Sequence, residues 1–317
     1  MRFLLRWAWP GVALAVLAAC GGEGSSPVPG SEGADAADAP APAPRRSFER
    51  SLVFTSTGTG VRLVVPWILE STTRPGGVDR IHRGWLLRDA EWEPFYRSAW
   101  STGPQREPWR VLPDGPFRIL VGSGGRLDRI VFDGGGRQLE LTLDEPLAEW
   151  TGNRGGAFTL LESGLILADR RVPGLLLDVS QGMRVTDGSP GDWIFLTSGA
   201  ELALVVEAPL DEGEESPYQG WAVRDGEELD PWPLVEVDWS ATRTFDPARR
   251  PIPDVVTLST PDGRLSGRLE VRSIQLEARD GDGPVLPVDG LMDVAGQVTL
   301  EDGVEFPVQG LLRHRRR

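Results

Sequence analysis

No lysine occurs anywhere in the 317 residues, and all 33 basic side chains are arginine, as the codon bias of a GC-rich genome would produce. Cysteine occurs once, as Cys20, so no intrachain disulfide can form and packing alone must stabilise the fold. The two histidines, His82 and His314, are too few for a histidine-rich metal centre, and a lone cysteine excludes a thiolate one. No metal and no cofactor is expected. Positive charge is scarce beside 47 acidic residues, and the formal net charge of −14 repels phosphate backbones. Nucleic acid is therefore not an expected partner. Long apolar runs are absent as well. The longest, Trp7–Ala19, is interrupted by Pro10 and Gly11 and falls short of the roughly twenty residues that cross a bilayer.

What is present at the N-terminus is Arg2 and Arg6, the short apolar run, and then Leu17-Ala18-Ala19-Cys20. A positive start, an apolar core and small residues before a cut site make a secretory signal. With cysteine immediately after the cut, this stretch resembles the lipobox of bacterial lipoproteins. The resemblance implies a signal peptide at 1–19, cleavage before Cys20, and a diacylglycerol on its sulfur with a further acyl chain on nitrogen. Each buried methylene contributes about 0.8 kcal/mol, and two or more chains hold a protein stably on a membrane. The expected location is extracytoplasmic, and Gly21-Gly22 in place of a retention aspartate points to the outer membrane where the cell has one.

Residues 20–47 carry the cysteine and a Gly/Ser/Ala/Pro/Asp tract without apolar period, which reads as an unfolded tether. From Ser51 onward, short runs rich in β-branched, leucine and aromatic residues alternate with turn signals. Asp133-Gly134, Asp225-Gly226, Asp262-Gly263 and Asp302-Gly303 are typical of those turns. This predicts an all-β protein of antiparallel barrels or sandwiches. Only Pro146–Asn153 suggests a helical turn. A division near residues 187–191 would give an N-terminal β domain at 48–188 and a C-terminal one at 189–317, with a single elongated sandwich as the alternative. Val288–Leu300 and Val304–Leu312 around Glu301-Asp302-Gly303 are expected to form one long hairpin.

That hairpin, Asp289-Gly290-x-x-x-Val294-x-Gly296 followed by Asp302-Gly303 and Val308-x-Gly310, resembles the closing strands of tandem lipocalin-like proteins, the hydroxylase-like and carotenoid-hydratase-like two-barrel families. The resemblance implies two lipocalin-like halves. It carries over no catalytic residue, because the tyrosine-tryptophan-glutamate cluster of those families is replaced here by Leu286-Pro287-Val288-Asp289.

Twelve tryptophans are the most informative side chains. Trp85, Trp92, Trp100 and Trp109 crowd one stretch with Tyr96, and Trp150 follows. Aromatic faces suit apolar rings and sugars, although barrels also use tryptophan to fill their ends. His82, flanked by Arg80 and Arg83, would have a depressed pKa and be a usable base near neutrality if they pack together; a surface or otherwise satisfied histidine is the expectation. Asp280-Gly281-Asp282-Gly283 alternates carboxylates as calcium loops do but lacks their later ligands, so a turn is expected. Asp192, Glu201 and Glu207 are among many carboxylates from which an acid–base pair could be assembled, and nothing in the sequence selects among them. The arginines at 313–317 read as solvated strand ends.

These features rank three functions. The first is a membrane-anchored protein binding a small hydrophobic or carbohydrate ligand at Trp85, Trp92, Trp100, Trp109, Trp150, Tyr96 and His82. An envelope assembly lipoprotein is second, and a hydratase- or isomerase-type enzyme third.

Overall fold

The computed structural model describes residues 46–316, apart from 59–61, 109, 111–113, 123–126, 153–155, 168, 185–191, 209–217, 280 and 282. The expected signal peptide, Cys20, most of the tether, Trp109 and the tract at 187–191 lie outside the described residues. Residues 42–317 form one compact unit.

Nine strands build a first antiparallel sheet: β1 (Arg46–Ser56), β2 (Leu63–Arg74), β3 (Gly77–Arg88), β4 (Glu91–Thr102), β5 (Phe117–Val121), β6 (Leu127–Gly134), β7 (Arg137–Thr151), β8 (Ala157–Leu167) and β9 (Arg170–Arg184). Their spatial order is β4-β3-β2-β1-β9-β8-β7-β6-β5, so β1 and β9 join two meanders at the centre. The sheet does not close, and β4 and β5 are its free edges. It is a half-barrel.

A second sheet follows: β10 (Trp193–Ser198), β11 (Leu202–Glu207), β12 (Tyr218–Arg224), β13 (Glu227–Glu228), β14 (Trp232–Phe245), β15 (Arg250–Ser259), β16 (Leu265–Ala278), β17 (Val288–Leu300) and β18 (Glu305–Arg316). Pairing of β10 with β18, and of β11 with both β10 and β12, closes eight of these strands into a barrel. Closure leaves no free edge there. The one helical segment among the described residues is a 3-10 turn at Asp246–Ala248. All-β architecture with two lipocalin-like halves is what the sequence predicted.

Side-chain alternation sorts the core into three layers. Leu52, Phe54, Val65, Trp67 and Leu86 face the hollow of the half-barrel, packed with Phe117, Ile130 and Phe132. Val53, Ile68, Trp85 and Leu177 face the other way and meet Trp193, Phe195, Leu291 and Leu311 on the outer wall of the closed barrel. Ile194, Leu196, Leu204, Met292, Val294 and Leu312 fill the inside of that barrel. The central strand β1 is thus buried on both faces, which explains its unbroken run Leu52-Val53-Phe54 where a half-solvated strand would alternate.

Two local expectations are corrected. Pro146 and its neighbours belong to β7 and form no helical turn, and the register slips on both sides of Pro146. Bulges at that point accommodate a residue with no N–H to give the ladder. The predicted C-terminal hairpin forms as β17 and β18, but β18 runs on to Arg316. Arg313 and His314 are consequently buried strand residues rather than a solvated end.

Candidate functional site

Alternation along β3 turns Arg80, His82, Gly84 and Leu86 toward the hollow of the half-barrel. His82 lies opposite Ser98 on β4 and Leu69 on β2, and Arg80 lies opposite Trp100 and Ser71. Both charged-type side chains are buried, Arg80 and His82 each at 1% exposure. Burial of this kind is costly unless hydrogen bonds replace water.

Aromatic rings surround the pair. Trp100 meets the His82 ring edge-on at 4.6 Å, Phe117 lies at 6.1 Å, and Tyr96 at 6.5 Å. Tyr96 in turn stacks on Phe117 at 5.7 Å. Asp114, from the connection between β4 and β5, closes the group. Its backbone oxygen accepts from the Tyr96 hydroxyl at 3.4 Å, and its carboxylate accepts from Ser98.

Arg80 donates through Nη1 to Ser71 Oγ at 2.7 Å and to the Arg110 carbonyl at 2.9 Å. Its Nε and Nη2 are buried without a hydrogen-bond partner, and so is Nδ1 of His82. Burial drives the His82 pKa down to about 4, Asp114 opposing and Arg80 assisting. The depression is therefore present, but desolvation outranks the neighbouring arginine as its cause. Burial, followed by the charge of Asp114, pushes the Tyr96 phenol up to about 12. Near neutral pH the site combines a neutral imidazole, a protonated phenol and a guanidinium with two idle donors.

Of the predicted residues that are described, the structure brings His82, Tyr96 and Trp100 together but not Trp85, Trp92 or Trp150. Trp85 and Trp92 lie on the opposite face, in the seam between the sheets, where Trp92 Nε1 donates to Ser273 Oγ at 3.0 Å. Trp150 stacks on Trp221 at 6.2 Å in the same seam. Their neighbours are core residues of both sheets. One signal for Arg80 was available in the sequence, since it stands two residues before His82 and must share its face of a strand. Ser71 and Asp114 reach the site from other elements and carried no local mark.

Elsewhere, a cleft of about 320 Å³ opens at one end of the closed barrel, lined by residues including Arg224, Asp302, Trp232 and Arg264. Its arginines are already paired, Arg224 with Asp302 and Arg264 with Asp262. Glu207 is buried in the seam and accepts from Gln181 Nε2 at 3.2 Å, while Asp192 faces His314 and Glu201 is exposed in a turn. No group of three potential metal ligands occurs among the described residues.

No protein-family model matches the chain, and no curated protein matches it. Solved structures do. Kievitone hydratase from Nectria haematococca superposes with a TM-score of 0.54 at 14% identity, covering 84% of this chain and 87% of that one. A protein assigned as AttH from Nitrosomonas europaea gives a TM-score of 0.54 at 12% identity, covering 85% of this chain and 92% of that one. Identities this low establish the shared lipocalin-like fold and nothing about chemistry.

Proposed function

We propose that this protein is a lipid-anchored extracytoplasmic binding protein whose half-barrel holds a small apolar or sugar-like molecule by an acceptor oxygen. The supporting observation is the buried Arg80, with Nε and Nη2 unpartnered beside His82 Nδ1 in an aromatic shell. An unpaired buried donor costs about 1–3 kcal/mol, more when charged, so a carbonyl, carboxylate or hydroxyl oxygen that accepts from Arg80 relieves a standing penalty. Trp100, Tyr96 and Phe117 would flank the apolar remainder or a sugar ring. Acylation at Cys20 would hold this body on the outer membrane, with the residues between Cys20 and β1 as spacer.

Native mass spectrometry of residues 47–317, purified gently and followed by solvent extraction, tests the ligand. A defined molecule near one-to-one, lost in Arg80→Met and weakened in His82→Gln, is the expected outcome. An apo mass for the unaltered protein, or equal occupancy in Arg80→Met, overturns it. Transfer of Cys20→Ser from the membrane fraction to the soluble one tests the anchor.

A hydratase-type activity is the second reading. Its support is the neutral imidazole of His82 with its ring centroid 6.5 Å from that of the protonated Tyr96 phenol, a proton acceptor and a proton donor in one aromatic cluster, in a fold shared with a protein named as a hydratase. Conversion of the extracted molecule, abolished by Tyr96→Phe, would favour it over binding alone.

A further inference from the structure

His314 lies inside the closed barrel and has no exposed surface. It alternates along β18 with Leu312, which belongs to the barrel core. Its Nδ1 is 2.9 Å from Oδ2 of Asp192, and the other oxygen of that carboxylate accepts the backbone N–H of Arg315 at 2.8 Å. The carboxylate is thus held at both oxygens. A carboxylate can only accept, so Nδ1 carries a proton, and in the uncharged ring that arrangement leaves Nε2 as the acceptor. Nε2 has no hydrogen-bond partner and is fully buried.

The interior around it is not evenly filled. Toward the barrel middle, Leu196, Leu204, Met292 and Val294 are completely buried. At the His314 end, Tyr218, Trp239, Phe245, Ile274 and Leu276 pack against the same core yet are only half-buried. Trp239 stands edge-on to the His314 ring at 5.3 Å. The unpartnered Nε2 thus lies at the end of the barrel interior where the apolar and aromatic core side chains are only half-buried.

We infer that the closed barrel is a second binding site, separate from the half-barrel, for a small apolar or aromatic molecule bearing a hydroxyl group that donates to His314 Nε2. Asp192 is the positioning residue, because it sets the tautomer that makes Nε2 an acceptor. The preference for a donor distinguishes this site from the half-barrel, where Arg80 seeks an acceptor.

The test uses two probes of one shape, 1-naphthol and 1-methoxynaphthalene, titrated against residues 47–317 with ¹⁵N-detected histidine spectra. The expected result is saturable 1-naphthol binding that moves the His314 Nε2 resonance, with at least tenfold weaker binding of the methoxy compound. His314→Phe should abolish that preference and His82→Gln should leave it intact. Asp192→Asn supplies an inverse check. The amide oxygen keeps the Arg315 N–H and its NH₂ faces Nδ1, so Nε2 becomes the protonated nitrogen and 2-acetylnaphthalene should bind better than 1-naphthol. Equal affinity of 1-naphthol and 1-methoxynaphthalene for the unaltered protein overturns the inference. So does a proton found on Nε2 in the unaltered protein at pH 7, a reading that does not depend on any variant folding.

Discussion

A buried imidazole reports its surroundings through its proton. His82 in the folded chain takes up its proton only at about 4, against an ordinary 6.5, with burial as the main cause. The unfolded chain therefore binds the proton more readily between those values, and stability must fall as pH drops through that window. The contribution is complete above 6.5 and lost as pH approaches 4, amounting to roughly 3 kcal/mol for a shift of this size. Glu49 acts in a lower window. Burial pushes its carboxyl up, but Arg313 and Arg315 outweigh burial and hold it at about 2 instead of 4.5. Its contribution is complete above 4.5 and lost as pH falls toward 2. Urea unfolding between pH 7 and pH 3 separates the two. His82→Gln should flatten the slope between 6.5 and 4 and leave the loss below 4.5 unchanged. An unaltered slope in that variant would mean that His82 exchanges protons with solvent in the folded state.

At the scale of the element, the glycines of the C-terminal hairpin have a reason that composition alone does not supply. A Cβ on Gly310 would fall 1.7 Å from the carbonyl oxygen of Phe195, and one on Gly290 would fall 2.0 Å from that of Gln275. Neighbouring strands of the closed barrel approach too closely there for any side chain on that face. Gly310→Ala should cost about 1–3 kcal/mol as the strands part, whereas Gly58→Ala, with nothing within 4 Å, should stay within about 0.5 kcal/mol. Denaturant midpoints of the two variants measure the contrast. The same hairpin shows what sequence can disclose. Its turn and strands are specified by neighbours along the chain, so β17 and β18 were legible to within a few residues. The end of β18 was not, because the carboxylate that receives Arg313 belongs to Glu49, 264 residues away. The later part of β7 was missed for a local reason, since Pro146 and its acidic neighbours imitate a helix start. Within the site, His82, Tyr96 and Trp100 were recognisable by type. Arg80's importance depends on the donors that burial leaves unpartnered, which no spacing reveals.

The two sheets meet at a seam in which apolar packing surrounds an ionic network with a buried centre at Glu49, Asp289 and Arg313. Arg313 of the closed barrel donates to both Glu49 oxygens of the half-barrel at 3.1 and 2.9 Å and also contacts Asp289. Arg315 reaches Glu49 at 3.0 Å, and Arg83 of the half-barrel joins Glu70 at 2.8 Å to Asp289 at 2.9 Å. Charges cross the seam in both directions, so neither sheet can leave without stripping partners from the other. Ion pairs of this kind are weak net stabilisers when complete, because desolvation offsets attraction, but removing one member strands the rest. Arg313→Met keeps much of the side chain's bulk while leaving Glu49 and Asp289 short of their main counter-charge. It should lower stability by about 3–5 kcal/mol at pH 7. Glu49 should then lose its hold at about 2, so the onset of acid unfolding should move to higher pH in the same variant. Arg97, 70% exposed and paired with Glu277 at 3.3 Å, provides the comparison, and Arg97→Met should change stability by less than about 1 kcal/mol with no movement of the acid limb. If Arg313→Met proved as mild as Arg97→Met, the apolar layer of Trp85, Trp193, Leu291 and Leu311 would be carrying the seam alone.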